Sequence, residues 1–244
     1  KPTGWAFALE GGRTFRHERA ADYKAGRTPI PDALRLQLPA YAELQTATGA
    51  SRHRAPGFEA DDVIATLAAR LDAQGEAVRV VSGDRDVLQL ATDRVSVRFI
   101  GRRGQPHVIY DEKAVRDRFG VHPSSLPFYI ALVGDPADNL PKLPGIGPKT
   151  ASRLVARWGQ PERLLDHLDD VTPARLRATL DAHRGRLLSN HDLARLRSDV
   201  TFERPAAPLT APLDEGAKAR LADLFAAWEF RSLAARLAAL ASPP

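Results

Sequence analysis

Residues 77–90 read AVRVVSGDRDVLQL, and their reading decides the fold. The apolar run 77–81 has the character of a buried strand. Ser82 and Gly83 then turn the chain, and Asp84 and Asp86 follow on alternate positions. Just before it, EADDVIATLAARLDAQ (59–74) places Val63, Ile64, Leu67, Ala68 and Leu71 at helical spacing, and Gly75 ends the helix. A helix is expected to open near Asp86, with another strand over 95–100. This alternation predicts an α/β fold, a parallel sheet flanked by helices. Two carboxylates at a strand's end can be a helix cap with a solvated neighbour, or ligands for a hard cation.

Working outward, WAFAL (5–9) reads as a short strand. The basic stretch 15–44 reads as a short helix, a turn at Thr28-Pro29-Ile30-Pro31, and a helix entered at Pro31-Asp32. From residue 111 the pattern turns helical: 111–133, 148–158, 161–168, 173–187, 190–197 and 216–240. The predicted organisation is an α/β core over 1–134 and a mostly helical region over 135–244, with the boundary near 134–144. PAAPLTAP (205–212) reads as an extended connector, and ASPP (241–244) as a tail.

Cysteine is absent, which removes disulfides, thiolate metal sites and a cysteine nucleophile. No apolar run approaches the roughly 20 residues of a membrane span, and the start, KPTGWAFALE, lacks a signal-peptide pattern. Methionine is absent too, so Lys1 is expected not to be a natural start. A net charge of +5 would not by itself indicate nucleic acid. Its distribution says more: residues 13–36 carry six Arg/Lys against three acids, and 142–157 carry four and no acid.

The acids sort into three clusters: Glu59, Asp61 and Asp62; Asp84 and Asp86; Asp135 and Asp138. Acids in a first helical turn can simply complement the helix dipole. In a parallel α/β sheet, however, strand ends and their loops converge on one crevice. Seven carboxylates gathered there would repel unless a cation neutralised them. An all-oxygen donor set suits Mg²⁺ or Mn²⁺ better than Zn²⁺, and two such ions sharing carboxylates suit phosphodiester hydrolysis.

LPGIGPKTASRLVAR (143–157) adds a second feature. Gly145, Ile146 and Gly147 would let the backbone approach a ligand, and Pro148 can open a helix whose first amides bind phosphate. Lys142, Lys149, Arg153 and Arg157 add charge without sequence preference. A bare G-x-G often marks only a tight turn, but an acid-free basic helix follows it here.

Taken together, FRHERAADYKAGR (15–27), PGFEADDVIATLA (56–68), VVSGDRDVLQL (80–90), ALVGDPADNLPKLPGIGPKTASRLV (131–155) and WEFRSL (228–233) resemble the bacterial 5′ nucleases. That family comprises flap endonucleases and the 5′→3′ exonuclease domain of DNA polymerase I. The resemblance implies a PIN-like fold and a metal-dependent enzyme that cuts near the base of a 5′ single-stranded flap in replication and repair. It implies a metal-binding role for Glu59, Asp61, Asp62, Asp84, Asp86, Asp135 and Asp138. It makes 140–158 a helix–hairpin–helix-like grip on duplex DNA through Lys142, Gly145, Ile146, Gly147, Lys149, Thr150 and Arg153, with K⁺ a candidate ion there. It places Lys24, Arg27 and Arg16 near the scissile phosphate, at the base of a helical arch spanning 15–44. Tyr23 is then either a stacking platform for a displaced base or a core residue. A monomer in the bacterial cytoplasm, at the nucleoid, with a separate or covalently attached polymerase, is the implied setting.

Two departures stand out. The family begins with a strand carrying a metal-binding aspartate, which this sequence lacks. In FALEGGRTFRHE (7–18), Ala8 occupies the place of a second one, read as a substitution or loss; Glu10 is an alternative, displaced by two residues with a different reach. The alternative to an active nuclease is therefore a DNA-junction binding module. An RNA-cleaving PIN-like enzyme would not account for LPGIGPKT, and an aspartyl phosphatase would leave the basic hairpin and five acids unused.

Overall fold

The computed structural model describes residues 2–101, 105–202, 209 and 213–240. Apart from residue 209, the predicted connector at 205–208 and 210–212 and the tail at 241–244 lie outside the described residues.

The chain begins with β1 (Ala6–Leu9), α1 (Phe15–Arg19), α2 (Asp32–Arg35), α3 (Leu38–Ala47) and β2 (Ser51–Arg54). Next come α4 (Ala60–Ala73), β3 (Val78–Ser82), a 3₁₀ turn (Asp86–Leu90), β4 (Val95–Phe99) and β5 (Val108–Tyr110). The remainder is helical: α5 (Glu112–Phe119), α6 (Leu126–Val133), α7 (Pro148–Trp158) and α8 (Pro161–Asp166). It ends with α9 (Ala174–Ala182), α10 (Arg184–Ala194), α11 (Glu215–Ala227) and α12 (Arg231–Ala238).

The described residues fall into two compact units. One draws on 1–9, 28–54 and 202–244, the other on 10–27 and 55–201. The sequence boundary near 134–144 lies inside the second unit, and residues 15–44 are divided between the two.

In the first unit β1 and β2 pair in parallel, from Ala6 opposite Ser51 to Leu9 opposite Arg54. The sequence SRHR gave no apolar signal for β2, yet it alternates as a strand should. Ser51 and His53 are buried, and Arg52 and Arg54 face solvent. A small core of Ala47, Leu221, Leu224, Phe225 and Leu237 joins α3, α11 and α12.

The second unit holds the main core, with Val63, Val87, Phe128, Leu132 and Leu143 fully buried. β3 and β4 pair in parallel, whereas β5 runs antiparallel to β4. The expected α/β fold with parallel pairing is present, and among the described residues that pairing is divided between two small sheets, one with an antiparallel edge. The connection from Phe99 to Val108 is too short for a parallel crossover, which needs about a dozen residues or more. The helix expected near Asp86 is a five-residue 3₁₀ turn.

Candidate functional site

All three acidic clusters belong to the second unit. Glu59 caps α4, and a reciprocal capping box links it to Asp62. Asp84 and Asp86 sit in the turn after β3, where the Asp84 carboxylate accepts from the Asp86 amide at 3.0 Å. Asp135 and Asp138 sit in a loop closed by an antiparallel bridge between Asp135 and Leu140. That loop needs Gly134, whose φ is +77° and whose Cβ, if present, would lie 2.6 Å from the Lys142 nitrogen.

The clusters converge electrostatically. Burial first, then the charges of Asp84, Asp138, Asp135 and Asp61, hold the Asp86 carboxyl well above the usual carboxylate range. Burial, then Asp84, Glu59 and Glu10, push Asp61 up to about 7. Glu10 reaches the same helix end, where its carboxylate accepts from the Ala60 amide at 3.3 Å. Ala8, in β1, offers no ligand.

Two basic side chains neutralise part of this charge, and a tyrosine hydroxyl bonds to it. Lys24, held at φ +59°, places Nζ 2.6 Å from Glu59 Oε1 and 3.8 Å from Asp138 Oδ1. Arg27 donates to Asp138 Oδ1 at 2.8 Å while its side chain stays half exposed. Tyr23 is only 4% exposed and donates from its hydroxyl to Asp138 Oδ2 at 2.7 Å. That burial excludes base stacking and makes Tyr23 a link between the turn after α1 and the acids.

Arg16 and Asp62 are engaged with each other. Arg16 is 1% exposed and forms a two-pronged ion pair with Asp62, at 2.7 and 2.9 Å. Both Asp62 oxygens are further engaged, Oδ1 by the Arg197 amide and Oδ2 by the Glu59 amide. The pair so enclosed braces α1 against α4. Ile146 is buried at 4%, and its amide donates to Leu143 O, so it anchors the hairpin.

Among the described residues, Asp61, Asp84, Asp86 and Asp135 form no ion pair with a basic side chain. No three acids or histidines there close on one point tightly enough to chelate an ion unaided. Yet Asp86 Oδ1 is buried without a hydrogen-bond partner. A lone buried carboxylate oxygen among further acids fits a hard cation that keeps some of its water ligands.

The hairpin presents Gly145 and Gly147 to open space, with nothing within 4 Å of a Cβ built on either. Gly147 caps α7 at an ordinary φ of −102°, and Pro148 opens the helix. Lys142, Lys149 and Arg153 are exposed, and Thr150 is half-buried. Gly147→Val should therefore leave the melting temperature within about 2 °C yet weaken duplex binding about tenfold in an anisotropy titration. Unchanged binding would remove the hairpin from the interface.

Residues 1–120 match the N-terminal resolvase-like domain of the 5′-3′ exonucleases, and residues 121–214 match their C-terminal SAM fold. The chain belongs to the 5′-3′ exonuclease family, the 5′ nucleases. It is 40% identical over 230 residues to the thermostable DNA polymerase I of Thermus thermophilus, which covers 94% of this chain and 26% of that one. It thus spans about a quarter of the polymerase it matches. The fold resembles a bacteriophage T5 5′-exonuclease with bound zinc, with a TM-score of 0.63 and 26% identity over 76% of this chain and 71% of that one. A T5 flap endonuclease in complex with DNA and metal ions gives a TM-score of 0.62 and 25% identity, over the same 76% and 71%.

Proposed function

We propose that this chain hydrolyses DNA phosphodiesters at the base of a 5′ flap or at a 5′ end beside a duplex, as a divalent-metal-dependent 5′ nuclease. The observation that carries the proposal is the unpartnered, buried Asp86 Oδ1 at the meeting point of the three acidic clusters. Asp61, Asp84, Asp86 and Asp135, with Glu10 nearby, are the residues that would hold Mg²⁺ or Mn²⁺, in a two-ion arrangement. Such an ion, when bound, supplies Lewis-acid polarisation of a phosphoryl oxygen.

The chain's own residues account for the rest. The exposed amides and cations of the hairpin hold the duplex backbone, a grip in which K⁺ is a candidate participant. Arg27, half exposed, is placed to meet a phosphate, and Lys24 adds a second fixed cation to counter charge developing on its oxygens. Lys24→Ala should lower the cleavage rate about 10²-fold with flap affinity nearly intact. Equal losses in rate and affinity would sink its role in the chemical step. A covalently attached polymerase is the partner that the Thermus relative suggests.

Ala8 supports a second reading, a junction-binding module with impaired cleavage, and Glu10 at the start of α4 argues against it. Cleavage of a 5′-labelled flap duplex with Mg²⁺, with Mn²⁺ and with chelator separates them. Metal-dependent cutting at the junction establishes the nuclease. Tight flap binding without cutting establishes the binding module.

A further inference from the structure

Two of the elements that carry the acids of the crevice are the first turn of α4 and the turn after β3. Both are tied to one remote stretch, residues 193–197, at the end of α10 and just beyond it. Arg16 donates to Leu193 O at 2.8 Å and to Arg195 O at 3.0 Å while gripping Asp62. Gln89 donates to Ala194 O at 3.1 Å and to Asp86 O at 2.8 Å. In return the Leu196 amide donates to Gln89 Oε1 at 3.0 Å, and the Arg197 amide to Asp62 Oδ1 at 2.9 Å. Three consecutive carbonyls and the two following amides are thus spent on bracing two of the acid-bearing elements.

We infer that residues 193–197 are a backbone strut that sets the separation between the Asp84–Asp86 turn and the acidic end of α4. Gln89 and Arg16 are its positioning residues. The inference rests on the nuclease reading above and deepens it. Peptide groups suit the task because they are rigid, uncharged and strong hydrogen-bonding partners. They hold carboxylates in place without competing for a cation. Such spacing matters because a misplacement of about 1 Å can cost about 10²-fold in rate. Gln89 uses both ends of its amide, so an apolar side chain of equal length would keep its packing and lose the tie.

Gln89→Met tests this. The variant should unfold cooperatively, bind Mn²⁺ about tenfold more weakly by calorimetry, and lose about 10²-fold in kcat. Its flap affinity should stay within about threefold of the parent's. A folded variant with unchanged Mn²⁺ affinity and kcat overturns the strut. So does one that loses flap affinity in step with kcat.

Hydrogen exchange in the metal-free proteins gives a reading independent of activity. Gln89→Met should speed exchange in peptides covering both Asp86 and Leu196 by about tenfold, and equal rates overturn the proposal. If the variant does not fold, saturating Mn²⁺ on the unaltered protein should slow exchange across 193–197, and no slowing overturns it. An unaltered protein that neither binds Mn²⁺ nor cuts would defeat the nuclease reading alone, leaving the metal-free exchange to judge the strut.

Discussion

Asp86→Asn is expected to cut flap cleavage by about 10²–10³-fold while making the metal-free protein harder to unfold. Both effects have one cause. Asp86 is buried with one oxygen unpartnered, and its neighbours are acids. Its charge serves a cation and, in the cation's absence, opposes folding. The amide removes that charge at nearly constant volume, so denaturant unfolding at pH 7.5 should show a gain of about 1–3 kcal/mol. A destabilised variant would mean that the carboxylate is held by contacts favouring its ionised form, and the crevice reading would fall.

The pH dependence has a defined sign. Asp61 titrates at about 7 in the folded chain, against 3.8 for an ordinary aspartate. Between these values the unfolded chain has released the proton and the folded chain still holds it. This group's contribution to stability therefore falls as pH rises from about 4 to 7, and is level above that. Asp86, raised for the same reasons, extends the effect in the same direction. Asp61→Asn should accordingly stabilise the metal-free protein at pH 7.5 and have little effect on stability at pH 4. A divalent ion should oppose the loss in the parent, by about 2.7 kcal/mol at a hundred times its Kd.

Arg16→Met is expected to destabilise the protein by about 3–5 kcal/mol, because it leaves the Asp62 carboxylate charged and buried without its partner. The pair is enclosed, with Arg16 1% and Asp62 0% exposed. Replacing both, as in Arg16→Met with Asp62→Leu, should restore much of that loss, since an apolar pair of similar volume avoids burying charge. A double-mutant cycle by urea denaturation measures the coupling. If Arg16→Met instead kept its stability and lost only cleavage, Arg16 would act on the phosphate as its place in FRHERAADYKAGR first implied.

Much of the fold was legible because local chemistry states it. The helical spacing of Val63, Ile64 and Leu67, the stop at Gly75 and the apolar run into Ser82 delimit α4 and β3 within about a residue. The inventory of acids and the glycines of the hairpin were equally plain, and the structure leaves Gly145 and Gly147 open as their chemistry suggests. β2 was hidden because SRHR carries no apolar residue, although half of it is buried. β5 was hidden because three residues are too few for a period.

The sequence by itself determined which acids and cations the chain possesses and the order in which they occur. The tertiary structure alone decided how they are used. Arg16 meets Asp62 across 46 positions of sequence, and Arg197 reaches it across 135. Those contacts join Arg16 and Asp62 in a buried brace. Burial and neighbouring acids raise the proton affinity of Asp61 and Asp86, which form no ion pair with a basic side chain among the described residues. Whether a carboxylate is saturated or left for a cation depends on burial and on partners distant in the chain, and these arise only when the core closes.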